Sequence, residues 1–117
     1  MNDKSSQILF YRENNPRLNK LLAMWGQNSS DTFVSYAIGM EFKGMGESEA
    51  AELWFARTLD LDANHVPSYF QLGQLMVEID NIDSAIQWLE EGIEVALQVK
   101  DQKAVREMKA LLDEILY

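Results

Sequence analysis

The sequence predicts an all-α protein built from stacked antiparallel helix hairpins, and three observations carry that reading. The chain echoes itself at a spacing of 34 residues, with Gly39 recurring as Gly73, Ala51 as Ala85, Phe55 as Leu89 and Leu59 as Ile93. A period of that length marks a supersecondary unit that buries its apolar face only by stacking on its neighbours. Apolar residues also recur at helical spacing, as in Leu18, Leu21, Leu22 and Trp25. Finally, Asn15 and Pro16 stand where a helix would be capped and started.

Each element follows in order. Residues 1–15 form an N-terminal segment whose apolar cluster, Ile8 to Tyr11, has no obvious home. Ser5 and Ile8 fall one period before Gly39 and Phe42, which favours a short helix completing a first hairpin. The alternative is a segment that docks in the groove of its own chain or of a twin. Residues 16–26 read as a half repeat, since Leu21 and Trp25 lie one period before Phe55 and Leu59, and Gly26 sits where chains leave helices. Repeat one then covers residues 32–64 and repeat two residues 66–98. Gly39 and Gly73 are expected to let the two helices of a hairpin approach closely, with Ala51 and Ala85 opposite them and large residues filling the remaining space. Gly44-Met45-Gly46 reads as the turn within the first of these hairpins. The period ends after repeat two, because the places for the next Leu-Gly pair hold Arg106 and Glu107. Residues 101–116 therefore read as a capping helix with Ala104, Met108, Leu111 and Ile115 on its apolar stripe.

Set against the pattern of a large residue, two spacers, Leu-Gly, two spacers and a second large residue, repeat two reads Tyr69, Leu72-Gly73, Met76, followed by Ala85 and Leu89. Repeat one has Ser35 in place of the aromatic, then Ile38-Gly39, Phe42, Ala51 and Phe55. On these residues the chain resembles the tetratricopeptide repeat family over about residues 32–98, and from Pro16 onward it resembles short bacterial members of that family. The proline usual at the end of a repeat is Ala63 in one copy and Leu97 in the other. The resemblance implies a right-handed superhelix of about two and a half repeats closed by a C-terminal helix, with no catalytic residues. It also implies a concave groove lined by the first helix of each repeat. Carried over, the groove positions are Phe33, Tyr36, Met40 and Lys43 from repeat one and Phe70, Gln74, Val77 and Glu78 from repeat two. Some relatives grip a terminal carboxylate with asparagines and basic residues, but here Lys43 is the one basic groove residue and asparagine is missing from the set. Aromatic and methionine side chains suit an apolar or helical segment of another protein, with Glu78 selecting a basic residue beside it. The expected role is an interaction module or adaptor. The alternative is a self-assembling homodimer using the groove, the N-terminal segment or the closing helix.

Charge narrows the partner. The net charge is -9, and no Lys or Arg occurs between Arg57 and Lys100, while Asp60, Asp62, Glu78, Asp80, Asp83, Glu90, Glu91 and Glu94 fall in that stretch. Such a block repels phosphate backbones, so nucleic acid is not expected, and it attracts basic partners when it is more than a solvated surface. Lys100, Lys103, Arg106 and Lys109 gather on the closing helix, where a solvated, salt-bridged surface is the plainer reading and an acidic peptide the sharper one.

Chemistry finds little purchase. There is no cysteine and a single histidine, His65, which leaves no multi-ligand zinc set and reads as a repeat terminus. Asp60, Asp62 and Asn64 imitate the start of a calcium loop, but His65, Pro67 and Gln71 stand where the turn glycine and the closing glutamate are needed. No cofactor, metal or catalytic residue is expected. The chain can bury a core at 117 residues and 47% hydrophobic content, and neither a signal peptide nor a membrane span is read in it, which points to the cytoplasm.

Overall fold

Residues 15–117 are described by a computed structural model, and among them the chain forms six α-helices and no strand. The N-terminal segment expected to form a short helix lies, apart from Asn15, outside the described residues. The helices are α1 (Pro16–Gln27), α2 (Thr32–Gly44), α3 (Ser48–Leu61), α4 (Val66–Glu78), α5 (Ile82–Gln98) and α6 (Gln102–Leu116). Short polar side chains start four of them by accepting a backbone N–H that the first helical turn leaves unpaired. Asn15 accepts from Leu18 at 3.1 Å, Asp31 from Val34 at 3.2 Å, Asn81 from Ser84 at 3.3 Å and Asp101 from Ala104 at 3.1 Å.

The period is visible in the turns as well as the helices. Gly46 and Asp80, one period apart, both take a left-handed backbone at φ 77 and φ 61, and both turns close with the same backbone bonds. Glu47 N–H donates to Phe42 at 2.9 Å in one, and Asn81 N–H to Met76 at 2.8 Å in the other. Asn28 and Asp62, also one period apart, end the second helices of their hairpins and fold their side chains onto the backbone N–H two residues ahead, at 3.2 and 3.0 Å. After α5 that position is Ala96, which offers no such side chain. The helix therefore runs on to Gln98 and leaves through a left-handed Lys100 at φ 62, the type of turn used inside the hairpins.

Each helix packs on the next, and α4 also packs on α6, so the last helix sits against repeat two as the first helix of a further hairpin would. Phe42, Phe55, Leu18, Ile38, Leu72, Met76, Leu89 and Met108 are all fully buried along this stack. The close approach predicted at the two glycines is present, but its partner differs from expectation. A Cβ on Gly39 would lie 2.6 Å from the ring of Phe55, and one on Gly73 would lie 2.5 Å from a methyl of Leu89. The large residue one turn beyond the alanine fills each recess, while Ala51 and Ala85 are themselves completely buried.

Ser35 in place of an aromatic is also explained by the packing. One period separates Ser35 from Tyr69, and Thr58 from Gly92. In repeat one the two hydroxyls meet at 2.7 Å and are fully buried; Thr58 donates to Trp54 O at 2.8 Å and accepts from Ser35, for which Thr32 O at 3.1 Å is the alternative acceptor. In repeat two the large Tyr69 is accommodated by a bare Gly92, whose added Cβ would stand 2.5 Å from Tyr69 Cβ and 2.7 Å from Met108 Sδ. Two medium side chains in one hairpin are replaced by a large and an empty one in the other, which holds the packing density constant. At the N-terminal end, Trp25 of α1 meets Trp54 of α3 edge to face at 5.2 Å, and the Arg57 guanidinium lies 4.5 Å over Trp54. No helix among the described residues is long and apolar enough to cross a membrane.

Candidate functional site

The first helices of the successive hairpins, α2, α4 and α6, carry the side chains of interest. On α2 a helical repeat brings Phe33, Tyr36, Met40 and Lys43 to neighbouring positions of one face. On α4 the corresponding residues are Phe70, Gln74, Val77 and Glu78.

Lys43 joins the two helices. Its ammonium donates to the side-chain carbonyls of Gln71 and Gln74, the latter at 3.0 Å, and it makes no ion pair with another described residue. The Gln71 side chain beside Tyr36 favours the ionised phenol, but burial outweighs it and holds the phenol above its ordinary pKa. Tyr36 in turn packs on Phe55, with ring centroids 5.6 Å apart, and on His65 at 4.9 Å. His65 precedes α4, bonds Ser68 Oγ through Nδ1 at 2.8 Å, and is pushed below its ordinary pKa by burial, against the opposing pull of Asp62. A depressed value keeps this imidazole neutral at neutral pH.

The predicted groove residues are thus placed unequally. Tyr36, Lys43 and Gln74 are drawn together through Gln71. Phe70 borders a cleft of about 260 Å³ between α4 and α6, whose walls are Val66, Pro67 and Phe70 on one side and Ala104 and Met108 on the other. Asp101, Lys103 and Glu107 line the same cleft from exposed positions. Met40 is exposed on α2, Val77 is partly buried against the core, and Glu78 is exposed without an ion pair among the described residues. Phe33 stands apart. It is 73% exposed and opens with Leu21, Met24 and Ala37 onto a shallower cleft toward α1, bordered by Arg17 and Lys20.

Gln71, His65 and the α6 residues were missed by reading the sequence. Gln71 carried a signal, since it lies three residues before Gln74 and shares its helical face. His65 had none, because its stacking on Tyr36 joins residues that only the turn of the hairpins brings together. The Asp62 carboxylate meanwhile serves its own turn by accepting the Asn64 N–H at 3.0 Å. Among the described residues no three His, Asp or Glu side chains converge in a way that would hold a metal ion.

A stack of helix hairpins repeating at one period, with its turns repeating too, defines an α-helical repeat protein. Residues 66–98 match the family model of the tetratricopeptide repeat. The chain is similar to a tetratricopeptide repeat domain protein from Salinibacter ruber, at 29% identity over 73% of this chain and 86% of that one, with a TM-score of 0.69. It is similar in fold to the type III secretion chaperone SycD of Yersinia enterocolitica, solved with a peptide of the translocator YopD, at 15% identity, coverage of 98% and 94%, and a TM-score of 0.75. The TPR2B domain of yeast Sti1, solved as a complex with pHsp70, is similar at 13% identity, coverage of 96% and 95%, and a TM-score of 0.79. No curated protein matches the chain. Residues 66–98 thus match a tetratricopeptide repeat, and the chain has a tetratricopeptide-like helical-repeat fold.

Proposed function

We propose that the protein is an interaction module whose α2–α4–α6 face receives an apolar, basic segment of another protein, and that it performs no catalysis of its own. The observation that carries this reading is the composition of that face. Met40 and Phe70 offer soft and aromatic surface, Tyr36 is anchored between Phe55 and His65, and Gln71 and Gln74 hold Lys43 across the gap between the helices. Such side chains bury a large area, and hydrogen bonds already fix several of them before a partner arrives, which lowers the ordering cost of binding. Helical repeat proteins of the same fold have been solved with peptides bound, which supports a peptide or protein as the ligand class. Basic character in the ligand is supported by the acidic stretch behind α4, where none of the eight carboxylates makes an ion pair with another described residue.

The test is affinity capture from the source cell with a paired Met40→Glu, Phe70→Glu variant. These two positions are preferred to Tyr36 because that ring is packed between Phe55 and His65, whereas Met40 is exposed and Phe70 only partly buried. The variant is expected to unfold at the wild-type temperature and to lose the captured partner, since placing carboxylates against an apolar ligand costs at least tenfold in affinity. A partner retained by the folded variant would place the binding surface elsewhere.

A further inference from the structure

The closing helix completes a hairpin's place in the stack without supplying a second helix, and its packing against α4 leaves a cleft at the seam. We infer that this cleft between α4 and α6 is a specificity pocket that takes one lysine or arginine side chain of the bound segment. The inference rests on the groove reading above and adds to it both a position and a residue type. It also gives α6 a role in recognition beyond capping.

Three features lead there. The volume, about 260 Å³, falls below the ~300 Å³ at which pockets begin to enclose a drug-sized molecule, so the cleft suits one side chain of a longer ligand. Its walls, Phe70 and Val66 facing Ala104 and Met108, are apolar and match the methylene stem of a long side chain. Its charged lining is two carboxylates, Asp101 and Glu107, against one ammonium, Lys103, and none of the three is ion-paired with another described residue. Asp101 accepts the Ala104 N–H through one oxygen at 3.1 Å. A Lys or Arg side chain lying across the cleft would place its methylenes along Phe70 and Ala104 and its charged head between Asp101 and Glu107. Gln71 lies both on this cleft and in the hydrogen-bonded link to Lys43, so occupation of the pocket is continuous with the rest of the groove.

A random peptide library displayed on phage, selected against the whole chain, tests the pocket. Wild-type protein is expected to enrich apolar peptides with Lys or Arg at one fixed position. Glu107→Lys changes an exposed residue and leaves the fold unaltered; on it, the same position is expected to lose that preference. A synthetic peptide from the wild-type selection should bind Glu107→Lys about fivefold more weakly, the scale of one half-exposed ion pair. Substituting the enriched basic residue by norleucine should weaken wild-type binding equally and leave Glu107→Lys binding unchanged. Enrichment of apolar peptides with no basic position, or with an acidic position that Lys103→Glu abolishes, would overturn the pocket while leaving the groove reading in place. Failure to enrich any sequence that Met40→Glu, Phe70→Glu abolishes would overturn both.

Discussion

Phe55→Ala is expected to destabilise the protein by about 3–5 kcal/mol, toward the upper end for a buried aromatic, as read from the denaturation midpoint in urea. Phe55 is fully buried, and its ring fills the recess left by Gly39, where nothing but the glycine's own backbone would remain once the ring is gone. Tyr36 would lose its packing partner at the same time. The pairing makes a second, sharper expectation. Gly39→Ala alone should destabilise, because its Cβ would stand 2.6 Å from a ring that the surrounding core holds in place. In the Phe55→Ala background the same alanine should cost little or recover stability, since it then occupies part of a cavity. The double variant should therefore depart from additivity by about 1–3 kcal/mol. Additive losses would mean that Gly39 does not receive Phe55.

Gly92→Ala is expected to destabilise by about 1–3 kcal/mol even though alanine is the better helix former by ~1 kcal/mol. The sign is set by which atoms are in the way. Met108 Sδ, at 2.7 Å, ends a flexible side chain and can swing aside, but Tyr69 Cβ, at 2.5 Å, cannot move without its backbone. Relief must come from separating α5 from α4 or α6, so amide exchange should accelerate most in α6, which has the fewest other supports. Gly26→Ala provides the control. It lies in the last turn of α1 with no atom within 4 Å of its added Cβ, so it should gain stability by up to ~1 kcal/mol. Stabilisation by both substitutions would contradict the packing described at Gly92.

What the sequence made legible follows from what repeats. Gly39 and Gly73 announce themselves because each is an echo of the other, and the same is true of Phe55 and Leu89. Gly92 has no echo, since its counterpart is Thr58, and its role appears only when Tyr69 and Met108 are seen closing over it. The Ser35 that departs from the family pattern has the matching cause, a compensating Thr58 placed 23 residues away and bonded to it at 2.7 Å. Pattern matching treats these positions singly, whereas packing treats them in pairs. The end of the period was readable from Arg106 and Glu107, but the lengthening of α5 depended on Ala96 standing where Asn28 and Asp62 make turns. For the site, helical spacing placed Tyr36, Met40 and Lys43 on a common face. It gave no sign that Lys43 would be held by Gln71 across 28 residues of chain, nor that α6 would form a wall.

Methyl and aromatic NMR of the protein with its captured segment bound measures most directly whether the first helices form the binding surface. Shifts are expected at Met40 of α2, Phe70 of α4 and Met108 of α6, with Leu53 and Leu61 on the exposed side of α3 unchanged. Shifts confined to Leu53 and Leu61, with Met40, Phe70 and Met108 silent, would contradict the account.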